Sequence, residues 1–341
     1  MKKFHDLLET KEYAFLKNND RLGKRIILLG LAGSYSYGTN NENSDIDFRG
    51  ITLNKKSDLT GLTIFEQYVD DNTDTVIYSF NKIIKLLMSC NPNTIELLGL
   101  KAEHYLYLND LGKKLIDNRN LFLSKLAIYS FGGYAQAQLR RLQNALARDN
   151  YPQSEKEKHI LNSINTAMYE LKMRYQPFTE DNIKLYIDKA ANKDFVLEIF
   201  LDINLKHYPL RDYKNLWADM HCIVKDYDKI GTRNRKKDDN HLNKHAMHLL
   251  RLFMMAIDIL ENAEIVTYRE KEHNLLVSIR KGDFQNADGS FKKEFFDLVE
   301  EYENKFNQSS LKTALPDQPD FDKIQNLVME VNEEVITNNK F

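Results

Sequence analysis

The sequence predicts an α+β fold, in which a small unit that contains β-strands precedes a larger, mostly helical region. β-Branched and apolar residues concentrate in three segments of the first 80 residues. Beyond residue 80, apolar residues recur mainly at helical spacing. Glycine and proline are scarce, at 13 and 6 of 341 residues, and the N-terminal glycine cluster lies between residues 23 and 38.

The strand-like segments are residues 25–31, 46–53 and 73–80. Each is short and apolar or β-branched, as expected of a strand with a buried face. A later segment, residues 265–268, has the same character and is predicted as a further strand. We therefore expect the first domain to span residues 1–115 and the mostly helical domain to span residues 116–341.

Helical spacing of apolar residues is found in six segments: residues 83–88, 95–98, 123–148, 155–174, 244–260 and 321–336. The second of these follows the break Asn91-Pro92-Asn93-Thr94, in which Asn93 is the expected helix N-cap. Residues 226–243 are polar and charged and contain Gly231, so a long loop is expected there.

Composition excludes several classes of protein. Lysine plus arginine number 48 and aspartate plus glutamate 50, so the net charge of −2 does not indicate a nucleic-acid binder by itself. The cysteines, Cys90 and Cys222, lie far apart and argue against a disulfide scaffold or a cysteine zinc site. No run approaches 18 apolar residues, and no apolar segment follows the basic N-terminus. A cytoplasmic protein without a membrane partner is expected.

The region between residues 28 and 51 carries the chemistry of the sequence. An apolar strand ends at Gly33-Ser34, where a short helical turn is expected to begin. Backbone N–H groups at a helix start favour phosphate oxygens, glycine allows close approach, and a serine hydroxyl adds a donor. Asp45 and Asp47 stand two residues apart at the next strand, so both carboxylates are expected on one face.

Two neighbouring carboxylates repel each other unless a divalent cation lies between them. Mg²⁺ prefers oxygen ligands and is commonly shared between carboxylates and substrate phosphates. A phosphate-binding turn beside a carboxylate pair therefore indicates nucleotidyl transfer, in which two metal ions stabilise the attacking and leaving oxygens. The alternative is a glycine-rich turn that joins two strands of an unrelated domain.

The pattern Gly-Ser, spacer, Asp-x-Asp resembles the signature of the DNA polymerase β-type nucleotidyltransferase superfamily. The resemblance narrows to the predicted nucleotidyltransferases of the RNA repair pathway DNA polymerase β family, and it then covers most of the chain. It rests on residues 33–47, 74–79, 91–98, 244–252 and 279–282. It implies a small mixed sheet flanked by helices, a helical domain that closes a nucleotide cleft, an NTP substrate and two Mg²⁺ or Mn²⁺ ions.

The resemblance also implies a third carboxylate on a neighbouring strand. Asp74 is the preferred residue because it opens the third strand-like segment, and Asp70 and Asp71 are the alternatives. Together with Asp45 and Asp47, Asp74 would bind the catalytic metal and activate the attacking hydroxyl as general base.

Nucleotide binding is predicted for six residues: Gly33, Ser34, Tyr37, Gly38, His248 and Arg251. His245, His248 and Arg251 follow one another at i, i+3 and i+6 and share about one helix face. Arg251 is expected to neutralise triphosphate charge. The alternatives for these histidines are a zinc site shared with His241, or a structural role with polar neighbours.

The predicted reaction transfers a nucleoside monophosphate from an NTP to an acceptor hydroxyl, with release of pyrophosphate. An RNA end is the favoured acceptor, and a protein hydroxyl or a small molecule is the alternative. The basic residues Arg233, Arg235, Lys236 and Lys237 either contact RNA or triphosphate or form a solvated charged run. A repair enzyme or a toxin-like protein is a possible partner. The second hypothesis is a non-catalytic nucleotide-binding or antitoxin-like regulatory protein, against which the complete carboxylate set argues.

Overall fold

The structure is a computed structural model that describes residues 2–42, 44–149, 183–189, 197–233, 239–287 and 289–337. The chain divides into two compact units. One unit lies within residues 1–140 and 239–341, and the other lies within residues 141–238. The separation of a nucleotidyltransferase domain from a helical domain at residue 115 stays a prediction.

A five-stranded mixed sheet organises the first unit. Its strands are β1 (Ile26–Ala32), β2 (Asp47–Thr52), β3 (Gln67–Asp70), β4 (Thr75–Ser79) and β5 (Tyr105–Leu108). They lie in the order β3-β4-β2-β1-β5. β2 and β4 pair in parallel, and the other neighbours are antiparallel. The sheet followed by a mostly helical region confirms the predicted α+β class.

Eleven of the described α-helices belong wholly to this first unit. The first seven are α1 (Lys2–Leu8), α2 (Phe15–Asn18), α3 (Gly33–Tyr37), α4 (Lys56–Thr60), α5 (Phe80–Met88), α6 (Pro92–Ile95) and α7 (Asp110–Asp117). The next helix, α8 (Leu126–Asp149), begins in the first unit and ends in the second. After α9 (Leu210–Arg233) of the second unit come α10 (Asp239–Asn262), α11 (His273–Lys281), α12 (Lys293–Lys312) and α13 (Phe321–Thr337). The final amphipathic helix is thereby confirmed.

The core surrounds β1, whose seven residues are all buried. One cluster joins this strand to the N-terminal segment through Tyr13, Leu16 and Leu22, which pack with Phe48 of β2. Phe48 is fully buried, and its ring meets that of Tyr13 edge-on at 5.3 Å. Removing a side chain of this size from a packed core costs about 3–5 kcal/mol. Packing against the N-terminal segment therefore stabilises β1 and β2, the strands that carry the site.

Three predictions of local structure are wrong. Residues 226–233 and 239–243 are helical, in α9 and α10, and do not form the predicted loop, whereas residues 234–238 lie outside the described residues. Residues 265–268 form no strand, although the Thr267 N–H donates to the Gly99 carbonyl at 3.2 Å. The N-cap of α6 is Asn91, whose side chain accepts from the Asn93 N–H because Pro92 occupies the first helical position.

The second unit contains a two-stranded antiparallel sheet and α9. Its strands are β6 (Ile183–Lys189) and β7 (Leu197–Ile203), paired from Ile183 opposite Ile203 to Lys189 opposite Leu197. The predicted helix over residues 155–174 and the basic residues Arg235, Lys236 and Lys237 lie outside the described residues. Across the described part of the chain, no helix has the length and apolarity needed to cross a membrane.

Candidate functional site

The glycines at the two ends of α3 set the geometry of the site. β1 ends at Ala32 in extended conformation, and the chain turns directly into α3 at Gly33, with a φ of +57°. α3 stops at Gly38, which has a φ of +73° and acts as the C-cap. Positive φ angles favour glycine. The sequence therefore produces a short helix immediately at the end of a buried strand, as predicted.

Asp47 lies against the start of this helix. It is the first residue of β2 and pairs with Ala32 across the antiparallel β1–β2 ladder. A Cβ atom built on Gly33 would overlap the Asp47 Oδ2 atom, so only glycine leaves room for this carboxylate. The pairing register and the glycine together bring Gly33, Ser34 and Asp47 to one place.

Burial and several charged side chains change the pKa of Asp47. Burial raises the pKa of this carboxyl, the Arg49 guanidinium opposes the rise, and the Asp74 and Asp45 charges add to it. The charge of Lys244, on α10, also lowers the pKa of Asp47, as that of Arg49 does. The Arg49 Nη2 atom lies 3.8 Å from Asp47 Oδ1. An acidic group with two flanking cations therefore surrounds the beginning of α3.

Asp45 and Asp74 lie shortly before two different strands, β2 and β4. Asp45 is exposed and directly precedes β2, rather than lying within it as predicted. Asp74 precedes β4, and its carbonyl accepts a hydrogen bond from the Arg49 Nη1 atom at 2.6 Å and from the Phe48 N–H at 3.3 Å. Its φ of +46° is uncommon for a residue other than glycine. The parallel β2–β4 pairing accounts for its position.

The two alternative third carboxylates lie at the connection between β3 and β4, Asp70 as the last residue of β3 and Asp71 as the first residue of the turn. The Asp70 Oδ1 atom accepts from the N–H groups of Asn72 and Thr73 and from the Thr73 hydroxyl, at 3.0–3.1 Å. Asp71 is exposed in the same turn. Asp70 thus has a structural role that Asp74 does not share, and Asp74 remains the preferred third carboxylate.

A metal site is not assembled by these carboxylates alone. Within the described ranges, no group of three or more His, Cys, Asp or Glu side chains is arranged to hold a metal ion. Asp45 and Asp47 nevertheless supply the oxygen donors that Mg²⁺ prefers. The Asp74 and Asp45 charges add to the rise that burial causes in the pKa of Asp47, so both carboxylates repel that of Asp47. This donor set fits a hard divalent cation.

Tyr37, the last residue of α3, and Arg251 belong to a buried cluster around Glu96. The Tyr37 hydroxyl donates to the Glu96 carboxylate, 2.8 and 2.9 Å from its two oxygens. The Arg251 Nη1 atom donates to Glu96 Oε2 at 3.0 Å, and its guanidinium carbon lies 3.7 Å from the centre of the Tyr37 ring. Burial raises the pKa of Glu96, and the Arg251 charge opposes the rise. The Arg251 guanidinium is thus engaged inside the protein.

The two predicted helix histidines also lie near this cluster. The His248 ring meets the Tyr37 ring edge-on at 5.7 Å, and burial lowers its pKa well below the usual value, with Arg251 and Lys244 contributing. The His245 Nδ1 atom lies 3.1 Å from the side-chain oxygen of Gln138. The structure therefore brings His248 and Arg251 to Tyr37 and gives them protein partners.

Gly38 has a separate set of contacts. Its carbonyl accepts a hydrogen bond from His273 Nε2 at 2.9 Å, and a Cβ atom on Gly38 would overlap the Tyr268 ring. The Tyr268 and His273 rings stack with centroids 5.3 Å apart. These aromatic residues fix the end of α3, and no local sequence pattern predicts them because they follow Gly38 by more than 200 residues.

Three charged residues of the site escaped the sequence-based prediction: Arg49, Glu96 and Lys244. A signal for Lys244 exists, because Lys244, His248 and Arg251 follow at i, i+4 and i+7 and therefore share one face of α10. Along this face, Lys244 is exposed near Asp47, whereas Arg251 is buried beneath Tyr37. One helix thus contributes to both the acidic group and the cluster that supports α3.

Comparisons with known proteins give one match. A family model described as RlaP, RNA repair pathway DNA polymerase beta family, matches residues 8–330. Searches of curated proteins and of solved structures returned no match. The family match includes the whole of the site described above and nearly all of the chain. The protein therefore belongs to the RNA repair pathway DNA polymerase beta family.

Proposed function

We propose that this protein is a divalent-metal-dependent nucleotidyltransferase that transfers a nucleoside monophosphate from an NTP to a hydroxyl group at an RNA end. Family membership indicates a polymerase β-type nucleotidyltransferase of RNA repair. The structural observation that carries the proposal is the position of the Asp47 carboxylate against Gly33. The charges of Asp45 and Asp74 raise the pKa of this carboxylate. This is the arrangement expected where phosphate, metal and acceptor meet.

The carboxylates define where metal ions would bind. Enzymes of the polymerase β type generally use divalent metals, and Asp45 and Asp47 would hold Mg²⁺ or Mn²⁺, with Asp74 as a further ligand. Two bound ions would supply positive charge at the attacking and leaving oxygens of the displacement. Before binding, repulsion among these carboxylates contributes to the raised pKa of Asp47. The affinity for the metal should therefore depend on deprotonation of Asp47.

The protein groups of the site have distinct roles in this proposal. The N–H groups at Gly33 and Ser34 would bind the triphosphate, and the Ser34 hydroxyl would add a donor. Asp74 would accept the proton of the acceptor hydroxyl as its oxygen bonds to the α-phosphorus and the bond to pyrophosphate breaks. Lys244, which is exposed near Asp47, would offset the charge of the phosphates.

We assign Tyr37, His248 and Arg251 a positioning role. Their burial and contacts support this role over direct nucleotide contact, since Arg251 is 3% exposed and bonded to Glu96. Through Tyr37, this cluster would hold α3 at the angle that presents Ser34 to the phosphates. Gly38 would contribute through the bend after α3.

Label transfer tests the proposal. Purified protein is incubated with Mg²⁺ or Mn²⁺ and each α-³²P-labelled NTP, together with an RNA pool, a protein extract or buffer alone. The variant Asp45→Asn/Asp47→Asn is compared with Asp117→Asn/Asp297→Asn, which removes two exposed carboxylates from α7 and α12. We expect label on RNA with the wild type and the control variant, and none with Asp45→Asn/Asp47→Asn.

Transfer at the wild-type level by the Asp45→Asn/Asp47→Asn variant would refute the enzyme assignment. Label on protein or on a small molecule would retain the enzyme and replace the acceptor. NTP binding without any transfer would favour the non-catalytic regulatory alternative, and co-purification of a second protein would then identify its partner.

A further inference from the structure

A polar cavity lies beside the loop that connects α3 to Asp45. Its volume is about 580 Å³, which is within the range of small-molecule sites. The loop, α10 and the end of α11 with the turn that follows it all contribute to its lining. We name it the amide pocket and define it by six of its lining residues: Thr39, Asn40, Asn243, Arg280, Lys281 and Gln285.

Two buried polar atoms of the amide pocket lack a hydrogen-bond partner among the described residues. They are Thr39 Oγ1 and Asn243 Oδ1, in side chains of residues that are 2% and 4% exposed. Buried polar groups are normally paired, so each such group indicates a missing partner. Both residues line the cavity.

The orientation of the Asn243 amide is fixed by its neighbours. Its Nδ2 atom donates to Gln285 Oε1 at 2.9 Å, and Gln285 Nε2 donates to the Gly289 carbonyl at 3.2 Å. These bonds leave Asn243 Oδ1 as an acceptor with fixed geometry. An acceptor of this kind suits an N–H group on the edge of a nucleic-acid base, since carboxamides commonly recognise base edges.

The charge of the amide pocket is positive. Arg280 and Lys281 form the last turn of α11, and Arg280 Nη1 donates to the backbone carbonyl of Asn240 at 2.9 Å and to its side-chain oxygen. This contact holds the guanidinium at the cavity. Two adjacent cations together with carboxamides match a ligand that carries both phosphate and a hydrogen-bonding base, which is a nucleotide.

The amide pocket lies at the C-terminal end of α3, the opposite end from Gly33 and Ser34. The Thr39 N–H donates to the Ser34 carbonyl at 2.9 Å, which places Thr39 at the C-terminal end of α3. A helix of five residues spans about 7.5 Å, so the N–H groups at Gly33 and Ser34 lie at a different position. Asn243 also directly precedes Lys244, whose charge acts on Asp47.

We propose that the amide pocket is a second nucleotide subsite, which binds the terminal nucleotide of the RNA acceptor. Arg280 and Lys281 contact its phosphate, and Asn243 and Gln285 contact the edge of its base. This inference rests on the proposed function, in which the triphosphate of the NTP lies at the N-terminal end of α3.

Binding of RNA without turnover tests the subsite. Fluorescence anisotropy is measured with a labelled 12-nucleotide single-stranded RNA in the absence of NTP, and NTP binding with Mg²⁺ is measured separately by calorimetry. For Arg280→Gln/Lys281→Gln we expect RNA binding at least tenfold weaker and NTP binding within twofold of the wild type. The control variant Lys293→Gln/Lys312→Gln removes the same charge from exposed positions of α12 and should bind RNA within twofold of the wild type.

A second variant excludes misfolding as the cause. Thr39→Val removes the hydroxyl whose oxygen has no partner among the described residues and keeps the shape of the side chain. Because no internal hydrogen bond is lost, its thermal midpoint should equal that of the wild type. RNA binding should weaken about fivefold, the loss expected for one hydrogen bond to the ligand.

The result that overturns the inference is RNA binding at wild-type strength by both pocket variants, or no RNA binding by the wild type. Loss of NTP binding with RNA binding intact would also overturn it and would assign the cavity to the donor nucleotide. Failure of the proposed function is read separately, as label transfer that persists in Asp45→Asn/Asp47→Asn.

Discussion

The carboxylate of Asp47 occupies the space that a side chain at Gly33 would fill. Gly33 begins α3 directly after β1, and Asp47 begins the adjacent strand β2, where it pairs with Ala32. Gly33 also has a φ of +57°, so both its backbone and its surroundings require glycine. The position of the proposed metal-binding carboxylate is therefore coupled to the beginning of the proposed phosphate-binding helix.

Substitution of Gly33 by alanine should disable the site more than it destabilises the protein. The positive φ angle should cost about 1–2 kcal/mol of unfolding free energy. The new methyl group displaces Asp47, and a displacement of about 1 Å can reduce catalysis roughly 100-fold. Urea unfolding and the label-transfer rate measure the two effects.

Gly133→Ala is the matched control. Gly133 lies on the exposed side of α8, and a Cβ atom there meets nothing within 4 Å. Alanine should stabilise this helix by about 0.5–1 kcal/mol and leave activity unchanged. Full activity of Gly33→Ala would show that Asp47 does not need its observed position.

Loss of the Arg251 charge should destabilise the first unit strongly. Arg251→Met leaves the Glu96 carboxylate buried without its cation, and breaking a buried pair in this way costs about 3–5 kcal/mol. Adding Glu96→Gln removes the uncompensated charge and should recover part of this loss. Urea unfolding of the two single variants and the double variant measures the coupling.

The more exposed ion pair between Lys101 and Glu270 is the comparison for the Arg251 and Glu96 variants. Its nitrogen and oxygen are 2.9 Å apart, but the Glu270 side chain is 75% exposed. Glu270→Gln should therefore leave the unfolding midpoint nearly unchanged. Equal losses for Arg251→Met and Glu270→Gln would contradict the role of burial.

Acid should destabilise the protein through His248. Burial lowers the pKa of this imidazole well below its usual value. Below about pH 6.5 the unfolded chain binds a proton that folded His248 does not, so stability falls as the pH falls. His248→Gln should remove a slope of up to about 1.4 kcal/mol per pH unit. Urea unfolding at pH 7.5 and 5.5 measures the difference.

His5→Gln removes an exposed histidine of α1 and is the control for that slope. It should leave the pH dependence of stability as it is in the wild type. An unchanged slope in His248→Gln would mean that His248 is protonated to the same extent in the folded and unfolded chains.

Lys244→Gln should weaken the interaction with the NTP without affecting the fold. Lys244 is exposed, and its charge lowers the pKa of Asp47 against the effect of burial. Loss of a hydrogen bond to a charged phosphate should raise the KM for the NTP about tenfold, and Lys244→Arg should largely restore it. Lys305→Gln, an exposed change on α12, should have no effect. An unaltered KM in Lys244→Gln would exclude Lys244 from NTP binding.

The local sequence pattern was sufficient to predict the strands on which the site is built. β1, β2 and β4 coincide with segments in which apolar and β-branched residues concentrate, and the Gly-Ser and Asp-x-Asp motifs adjoin the end of β1 and the start of β2. β3 and β5 escaped prediction because they are short edge strands of four residues with exposed positions, and their pairing depends on the neighbouring strands.

The errors have identifiable physical causes. The charged residues 226–243 were expected to form a loop, but a polar sequence also suits an exposed helix, and Gly231 costs such a helix only about 1 kcal/mol. The partner of Arg251 could not be predicted, because Glu96 lies 155 residues earlier in the chain. Spacing on a helix identifies a shared face but does not say what that face contacts.

That separation between Glu96 and Arg251 has a consequence for protein synthesis. A nascent chain presents Asp45, Asp47 and Asp74 early, but the cation that accompanies Glu96 into the interior emerges only with α10. Until then, burial of the Glu96 carboxylate lacks its compensating charge. A prematurely terminated chain that ends before α10 would contain every proposed metal ligand and still lack a supported α3. Arg251 is translated only when almost three quarters of the 341 residues have been made, so we expect the supported form of α3 late in synthesis.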